Sequence, residues 1–187
     1  VVEDAGVLYY YTTQELSQKF CVSCLGGPFA GAPDATGTLD LSGGAFSYDV
    51  SAEIDPIPNV PLRIGIDYKH KATQELDGDV TWEGVPAPVA AGVPILRNQD
   101  VEQQLTIPNL LNIGVAYRVI KPLLVTFTFT FDRWVVYDAD AFVGSEPGAR
   151  LRLPRDYRNG QTYRAGVEYD LNPAIQLRAG LQRDVSG

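Results

Sequence analysis

Residues Leu123 to Tyr137 read L-L-V-T-F-T-F-T-F-D-R-W-V-V-Y, with Leu123, Val125, Phe127, Phe129 and Phe131 apolar at every odd position. Thr126, Thr128, Thr130 and Asp132 occupy even positions between them. Successive side chains of a β-strand point to opposite faces, so this segment presents one continuously oily face and one polar face. It covers about fifteen residues, beyond the five or six usual for a soluble strand, whereas a tilted strand crosses a bilayer in roughly ten. The expectation is a strand of a transmembrane antiparallel β-barrel, with Phe127, Phe129 and Phe131 facing lipid.

Working outward, the same device recurs. Leu62, Ile64, Ile66 and Tyr68 alternate with Arg63, Gly65, Asp67 and Lys69. From Leu105 to Val119 the odd positions Leu105, Ile107, Leu111, Ile113, Val115, Tyr117 and Val119 are apolar, with Asn109 the exception, opposite Thr106, Asn112, Gly114, Ala116 and Arg118. Tyr163, Ala165, Val167, Tyr169 and Leu171 alternate with Arg164, Gly166, Glu168 and Asp170, and Ile175, Leu177, Ala179 and Leu181 with Gln176, Arg178, Gly180 and Gln182. Charge and glycine fall on one face each time. Arg63, Asp67, Arg118, Asp132, Arg164, Glu168 and Arg178 are therefore expected to face the lumen, and Ile113 and Val115 to join the phenylalanines on the lipid side.

Toward the N-terminus, Phe46, Tyr48, Val50, Ala52 and Ile54 make an even-numbered apolar face, while Leu39 and Leu41 are odd. That change of parity predicts a bulge at Gly43-Gly44, where glycine tolerates unusual backbone angles. Val7 to Thr12 reads as a further strand whose tyrosine run leaves its face open.

Short proline-bearing connections at Asp55–Pro61, Ile120–Pro122 and Asn172–Ala174 alternate with long ones at Phe20–Ala35, Glu83–Asp100 and Ala139–Gly160. This is the asymmetry of outer-membrane barrels, short turns in the periplasm and long loops outside. It predicts Tyr117 and Tyr169 near the periplasmic boundary, and Trp82, Trp134 and Tyr137 near the outer one. A soluble antiparallel sandwich also alternates; the strand lengths and the alternation of loop lengths favour the barrel.

Composition narrows the partners. With 15 basic and 23 acidic residues the formal charge is −8, which disfavours nucleic acid as a partner and offers no broad basic surface to anionic lipid. No apolar run is long enough for a membrane helix, but barrels need none. Val1 begins no basic-then-apolar leader, so the expectation is an exported protein in mature form or a piece of one.

The motifs P-L-R-I-G-I-D-Y-K-H from Pro61, L-T-I-P-N-L-L-N-I-G-V-A-Y-R from Leu105, L-P-R-D-Y-R-N-G-Q-T-Y-R-A-G-V-E-Y from Leu153 and I-Q-L-R-A-G-L-Q-R-D from Ile175 follow one another in a characteristic order. Over roughly residues 40–187 this succession resembles the FadL/TodX family, outer-membrane transporters of long-chain fatty acids and other hydrophobic compounds. The resemblance implies a fourteen-stranded barrel plugged by an N-terminal hatch, with a hydrophobic ligand entering from outside and leaving through a gap in the wall. This chain departs from it: no hatch is recognisable, about seven or eight strands are legible, and Ser186-Gly187 is not an aromatic terminus. The expectation is one β-barrel domain over residues 1–187, incomplete at both ends, because a half barrel leaves unpaired backbone groups in lipid.

Other constellations carry less. Cys21 and Cys24 form C-V-S-C, read as a local disulfide in an external loop, with free thiols or a metal or redox role as alternatives. His70 is the one histidine, too few for a metal site or a His-based triad. Arg150, Arg152, Arg155 and Arg158 could meet lipopolysaccharide phosphates or serve as a solvated loop. No nucleophile with its base is visible, so neither an enzyme nor a cofactor is expected. The functional expectation is passive passage of hydrophobic small molecules, such as long-chain fatty acids, through the bacterial outer membrane. The alternative is a structural or docking barrel that meets envelope proteins through its long loops.

Overall fold

The computed structural model describes residues 1–55 and 60–185. They form eleven strands in one antiparallel sheet: β1 (Val2–Phe20), β2 (Ala35–Ile54), β3 (Leu62–Lys69), β4 (Ala72–Glu83), β5 (Gln99–Ile107), β6 (Leu110–Ile120), β7 (Leu123–Asp132), β8 (Ala139–Gly144), β9 (Arg150–Pro154), β10 (Gly160–Asn172) and β11 (Ile175–Val185). Their order makes β3–β4, β5–β6, β7–β8 and β9–β10 upper and lower halves of single courses. The sheet is thus a meander of seven long courses. It is not closed: β1 and β11 are its ends, and no pairing between them occurs among the described residues. The predicted turn at Asp55–Pro61 falls largely outside those residues.

Strand structure extends beyond the expected bounds in two places. β1 runs through Val2–Phe20, well past the expected Val7–Thr12, because β2 pairs with it from Val2↔Glu53 to Phe20↔Ala35 without a break. The region 139–160, expected to be a long loop, contains β8 and β9. The segment Leu123–Tyr137 does not stay a strand throughout; it ends at Asp132 and turns through a 3-10 segment at Trp134–Val136.

In the lower half, the strand faces follow the sequence. Ile66, Ile113, Phe129 and Tyr163 stand side by side across β3, β6, β7 and β10, as do Ile64, Val115, Phe127 and Ala165 one row away. Phe131 pairs with Leu111 in the same series. At the other end, Tyr9 lies opposite Phe46, their rings 4.9 Å apart, and Val7 lies opposite Tyr48. Val7, Tyr9, Tyr11 and Phe46 are all more than half exposed, which puts the odd residues of β1 on the outward apolar face.

The upper half reverses this arrangement, and the reversal is not where the glycines predicted it. The unbroken β1–β2 register leaves no bulge at Gly43-Gly44. Leu39 and Leu41 therefore face away from Phe46 and Tyr48. The extra residue lies between β3 and β4: Asp49 pairs with Lys69 but Gly44 with Glu75, five steps along β2 against six on its neighbour. An added residue flips every side chain beyond it. The β5–β6 course keeps step, since Lys69 pairs with Leu110 and Ala72 with Ile107, so it crosses over together with its neighbour at Pro108-Asn109. Leu105 and Ile107, expected on the lipid face, stand on the core side with Gln74 and Ala72.

Specific bonds hold this bulge. The Ser47 hydroxyl, itself buried, donates to the His70 carbonyl at 2.7 Å and also reaches the Lys71 carbonyl at 3.3 Å. The His70 amide donates to the Tyr48 carbonyl at 2.9 Å, and its ring stacks on Tyr48 at 4.8 Å with Nδ1 3.0 Å from the Tyr68 hydroxyl. Ladder groups displaced by the extra residue thus find partners, which buried backbone polar groups require.

Candidate functional site

Above the bulge, the core side of β2, β4 and β5 is apolar. Leu41, Leu76, Val80 and Val101 form a buried cluster, with Leu39, Trp82, Leu105 and Phe142 packed against it. Beside it opens a cavity of about 420 Å³, whose walls come from β1, β2, β4, β5, β8 and β9 and include Leu16, Leu39, Val80, Val101, Phe142, Leu151 and Leu153. A volume of this size suits a small organic molecule. That residues of β1 and β9 meet at one cavity shows how far the upper sheet curls.

The polar groups of the cavity collect at one side. Arg155 Nε lies 2.7 Å from Asp140 Oδ2 and Nη2 lies 2.6 Å from it, while the Tyr137 hydroxyl donates to the other Asp140 oxygen. Burial, then the Asp140 carboxylate, push the Tyr137 hydroxyl above its usual range, so it remains a protonated donor at neutral pH. Tyr157 lies between Tyr137 and Trp134 in tilted contacts, with centroids 5.7 and 5.8 Å apart. Beyond the cavity, Arg97 ties the segment containing α1 (Ala87–Gly92) to the β8–β9 connection: Nε donates to the Ala90 carbonyl at 2.6 Å, Nη2 to the Ala91 carbonyl at 2.8 Å and Nη1 to Glu146 at 2.9 Å.

Two of the three aromatic residues assigned to an outer boundary, Trp82 and Tyr137, make contacts on the inner side of the sheet. Trp82 packs on the buried cluster and its indole N–H donates to the Ile95 carbonyl at 3.1 Å, while Tyr137 lines the cavity. A buried aromatic with a polar tip needs such a partner. The loop arginines are partly engaged as well, with Arg152 2.8 Å from Asp138 and Arg155 bound to Asp140. Cys21 and Cys24 are joined as a disulfide with Cα atoms 5.4 Å apart.

Six of the seven charged residues assigned to a lumen fall into three groups. Arg63 pairs with Glu53 at 3.2 Å and with Asp55. Asp67 and Arg164 belong to a chain of bonds across five strands. Asn112 Nδ2 donates to Asp67 at 3.0 Å, Thr130 donates to Asn112 Oδ1 at 2.7 Å, Arg164 donates to Thr130 at 3.1 Å and to Gln182 at 2.9 Å, and Gln182 donates to Asp184 at 2.8 Å. Lower down, Arg178 pairs with Glu168 at 2.8 Å and Arg118 with Asp170 at 3.5 Å. Asp132 ends β7 opposite Gly160, one row from this chain. The register puts all of these on the face opposite Ile113, Val115, Phe127, Phe129 and Phe131.

Of the cavity residues, Phe142, Leu151 and Leu153 are not singled out by the sequence pattern, while Tyr137 and Arg155 stand out there only as a boundary aromatic and a loop arginine. A signal for two of them was present: R-L-R-L at 150–153 alternates as a strand does, and its leucines line the cavity. Asp140 carried no such signal, because its role depends on Arg155 reaching it from the next strand.

A family profile described as outer membrane protein transport protein (OMPP1/FadL/TodX) matches residues 5–187. The chain belongs to this family. FadL/TodX members are outer-membrane transport proteins, not enzymes. Solved structures agree on the fold. A Pseudomonas aeruginosa FadL homologue superimposes with a TM-score of 0.78 at 19% identity, over 97% of this chain and 45% of its own. The Ralstonia pickettii toluene transporter TbuX gives 0.69 at 20% identity over 97% and 50%, and the Pseudomonas putida toluene transporter TodX 0.60 at 18% over 98% and 50%. No curated protein sequence matches. The chain spans about half the length of these FadL/TodX structures, which accords with a sheet left open at β1 and β11.

Proposed function

We propose that this chain forms part of an outer-membrane pathway for passive entry of hydrophobic small molecules, captured in the cavity between β1 and β9. The observation that carries the reading is the reversal of faces at His70-Lys71. Below it, apolar side chains point outward, as lipid demands, and the charged set from Arg63 to Arg178 lines the inner side. Above it the apolar side chains point inward, where a membrane-spanning wall gains nothing from them but a hydrophobic ligand does. Toluene transporters share the fold; long-chain fatty acids and small aromatic compounds are both candidate cargo for this chain. No nucleotide or metal is needed, since burial in the cavity supplies capture and the concentration difference supplies direction.

Leu151 and Leu153 are more than two fifths exposed and line the cavity, so they can be changed without emptying the packed cluster. Glutamine at both positions should reduce uptake of a radiolabelled hydrocarbon at sub-saturating concentration by about tenfold, the effect of losing part of one buried leucine's transfer energy. Surface expression should be unchanged. Undiminished uptake by this double variant would contradict capture at the cavity.

A further inference from the structure

We propose that the cavity selects uncharged ligands and turns carboxylates away. This rests on the capture reading above and narrows the class of molecule it concerns. Among the described residues of this chain that line the cavity, the formal charges are those of Asp140 and Arg155, and they neutralise each other. Asp140 is 8% exposed and takes bonds from Tyr137 and from Nε and Nη2 of Arg155, so these two guanidinium nitrogens are held by a buried counter-charge although the Arg155 side chain is itself 45% exposed. Arg155 is also fixed at its backbone, its amide donating to the Asp138 carbonyl at 2.8 Å. An entering carboxylate would leave water without meeting a free cation. Drawing Arg155 toward itself would leave Asp140 buried and unpaired, the costly way to break such a pair. An uncharged molecule meets neither obstacle, and the amides of Gln14 and Gln18, on the cavity wall, offer it both donors and acceptors.

The outer face of the same strands reinforces the selection. Glu15, Asp40, Asp79 and Asp100 stand directly opposite one another in a single row across β1, β2, β4 and β5, with Asp77 and Glu102 paired two residues along. None of them forms an ion pair among the described residues. Like charges opposite each other are unfavourable for the sheet. Their combined field repels an anion approaching the cavity's walls and leaves a neutral molecule unaffected. Cavity and exterior thus discriminate in the same sense.

Two compounds of similar shape test this: 4-ethylbenzyl alcohol and 4-ethylbenzoate, which is ionised at neutral pH. Equilibrium dialysis of the detergent-solubilised protein against protein-free detergent should show the alcohol bound at least about tenfold more tightly. Asp140→Asn removes the counter-charge, and the affinity for 4-ethylbenzoate should then rise by about tenfold. Equal affinity of the wild-type protein for both compounds would overturn the proposal by itself, whether or not the variant folds. Binding of neither compound would instead place the failure in the capture reading.

Discussion

An arginine at Phe129 should keep the protein from assembling in the outer membrane, whereas a glutamate at Thr128, one residue away, should be accepted. Phe129 sits in the outward row between Ile113 and Tyr163, its ring 5.2 Å from that of Tyr163. A guanidinium on the lipid side at mid-depth costs roughly 2–4 kcal/mol, and the lost aromatic contact adds about 0.5–1.5 kcal/mol. Together these are a large share of the stability of an ordinary domain. Thr128 faces the other way and lies directly opposite Arg164, so a carboxylate there gains a cross-strand partner of opposite charge. Comparison of folded and unfolded bands in unheated gels of outer-membrane fractions reads the result. Equal loss, or equal tolerance, of both variants would sink the face assignment.

Gly78→Val should be more damaging still, although the position lies far from lipid contacts. Gly78 pairs with Leu41 in the β2–β4 ladder, and a Cβ placed there would run into the Asp40 carbonyl of the neighbouring main chain. Gly43, its counterpart on β2, meets the Glu75 carbonyl in the same way. These two strands approach so closely because glycine stands on each, next to the cluster of Leu41, Leu76 and Val80. A flexible side chain could move aside; a paired backbone cannot. The cost should exceed the ~1–3 kcal/mol of ordinary overpacking, visible as loss of the folded band at temperatures the parent protein tolerates. Gly65→Val makes the control, because a Cβ there comes no closer than 3.9 Å to the Ala52 carbonyl. Similar stability of the two variants would refute the close approach of β2 and β4.

The lower half of the sheet was legible because alternation in β3, β6, β7 and β10 is uninterrupted and its two faces differ sharply in chemistry. The upper half misled for a physical reason. Leu105, Ile107, Leu111 and Ile113 are all odd-numbered and apolar, and a pattern that counts residues cannot register a bulge between them. Both sides of the wall are apolar at different heights, so the hydrophobic pattern continues while the face changes. The paired glycines at 43 and 44 drew the bulge to themselves, since glycine is where unusual backbone angles come cheaply. Gly43 instead lets β4 come close, and Gly44 leaves room for the Tyr9 hydroxyl and the Tyr10 carbonyl of β1. The true bulge at His70-Lys71 contains no glycine and is held by a serine from another strand, a contact invisible in local sequence. β1 was undervalued likewise, because three successive tyrosines do not alternate until Phe46 and Tyr48 show which of them share a face. The charge balance at Asp140 and Arg155 belongs to the same class of information, arising only when neighbouring strands are in register.

Between Tyr68 and Ala72 the apolar face passes from outside to inside. Spin labels placed one at a time at Ile64, Ile66, Glu75, Leu76 and Asp77 of the membrane-reconstituted protein test this directly, read by collision with oxygen and with a water-soluble nickel chelate. High oxygen accessibility is expected at Ile64 and Ile66, high nickel accessibility at Glu75 and Asp77, and little of either at Leu76. Lipid exposure continuing along the even positions through Leu76, with Glu75 and Asp77 hidden from the chelate, would contradict the change of face.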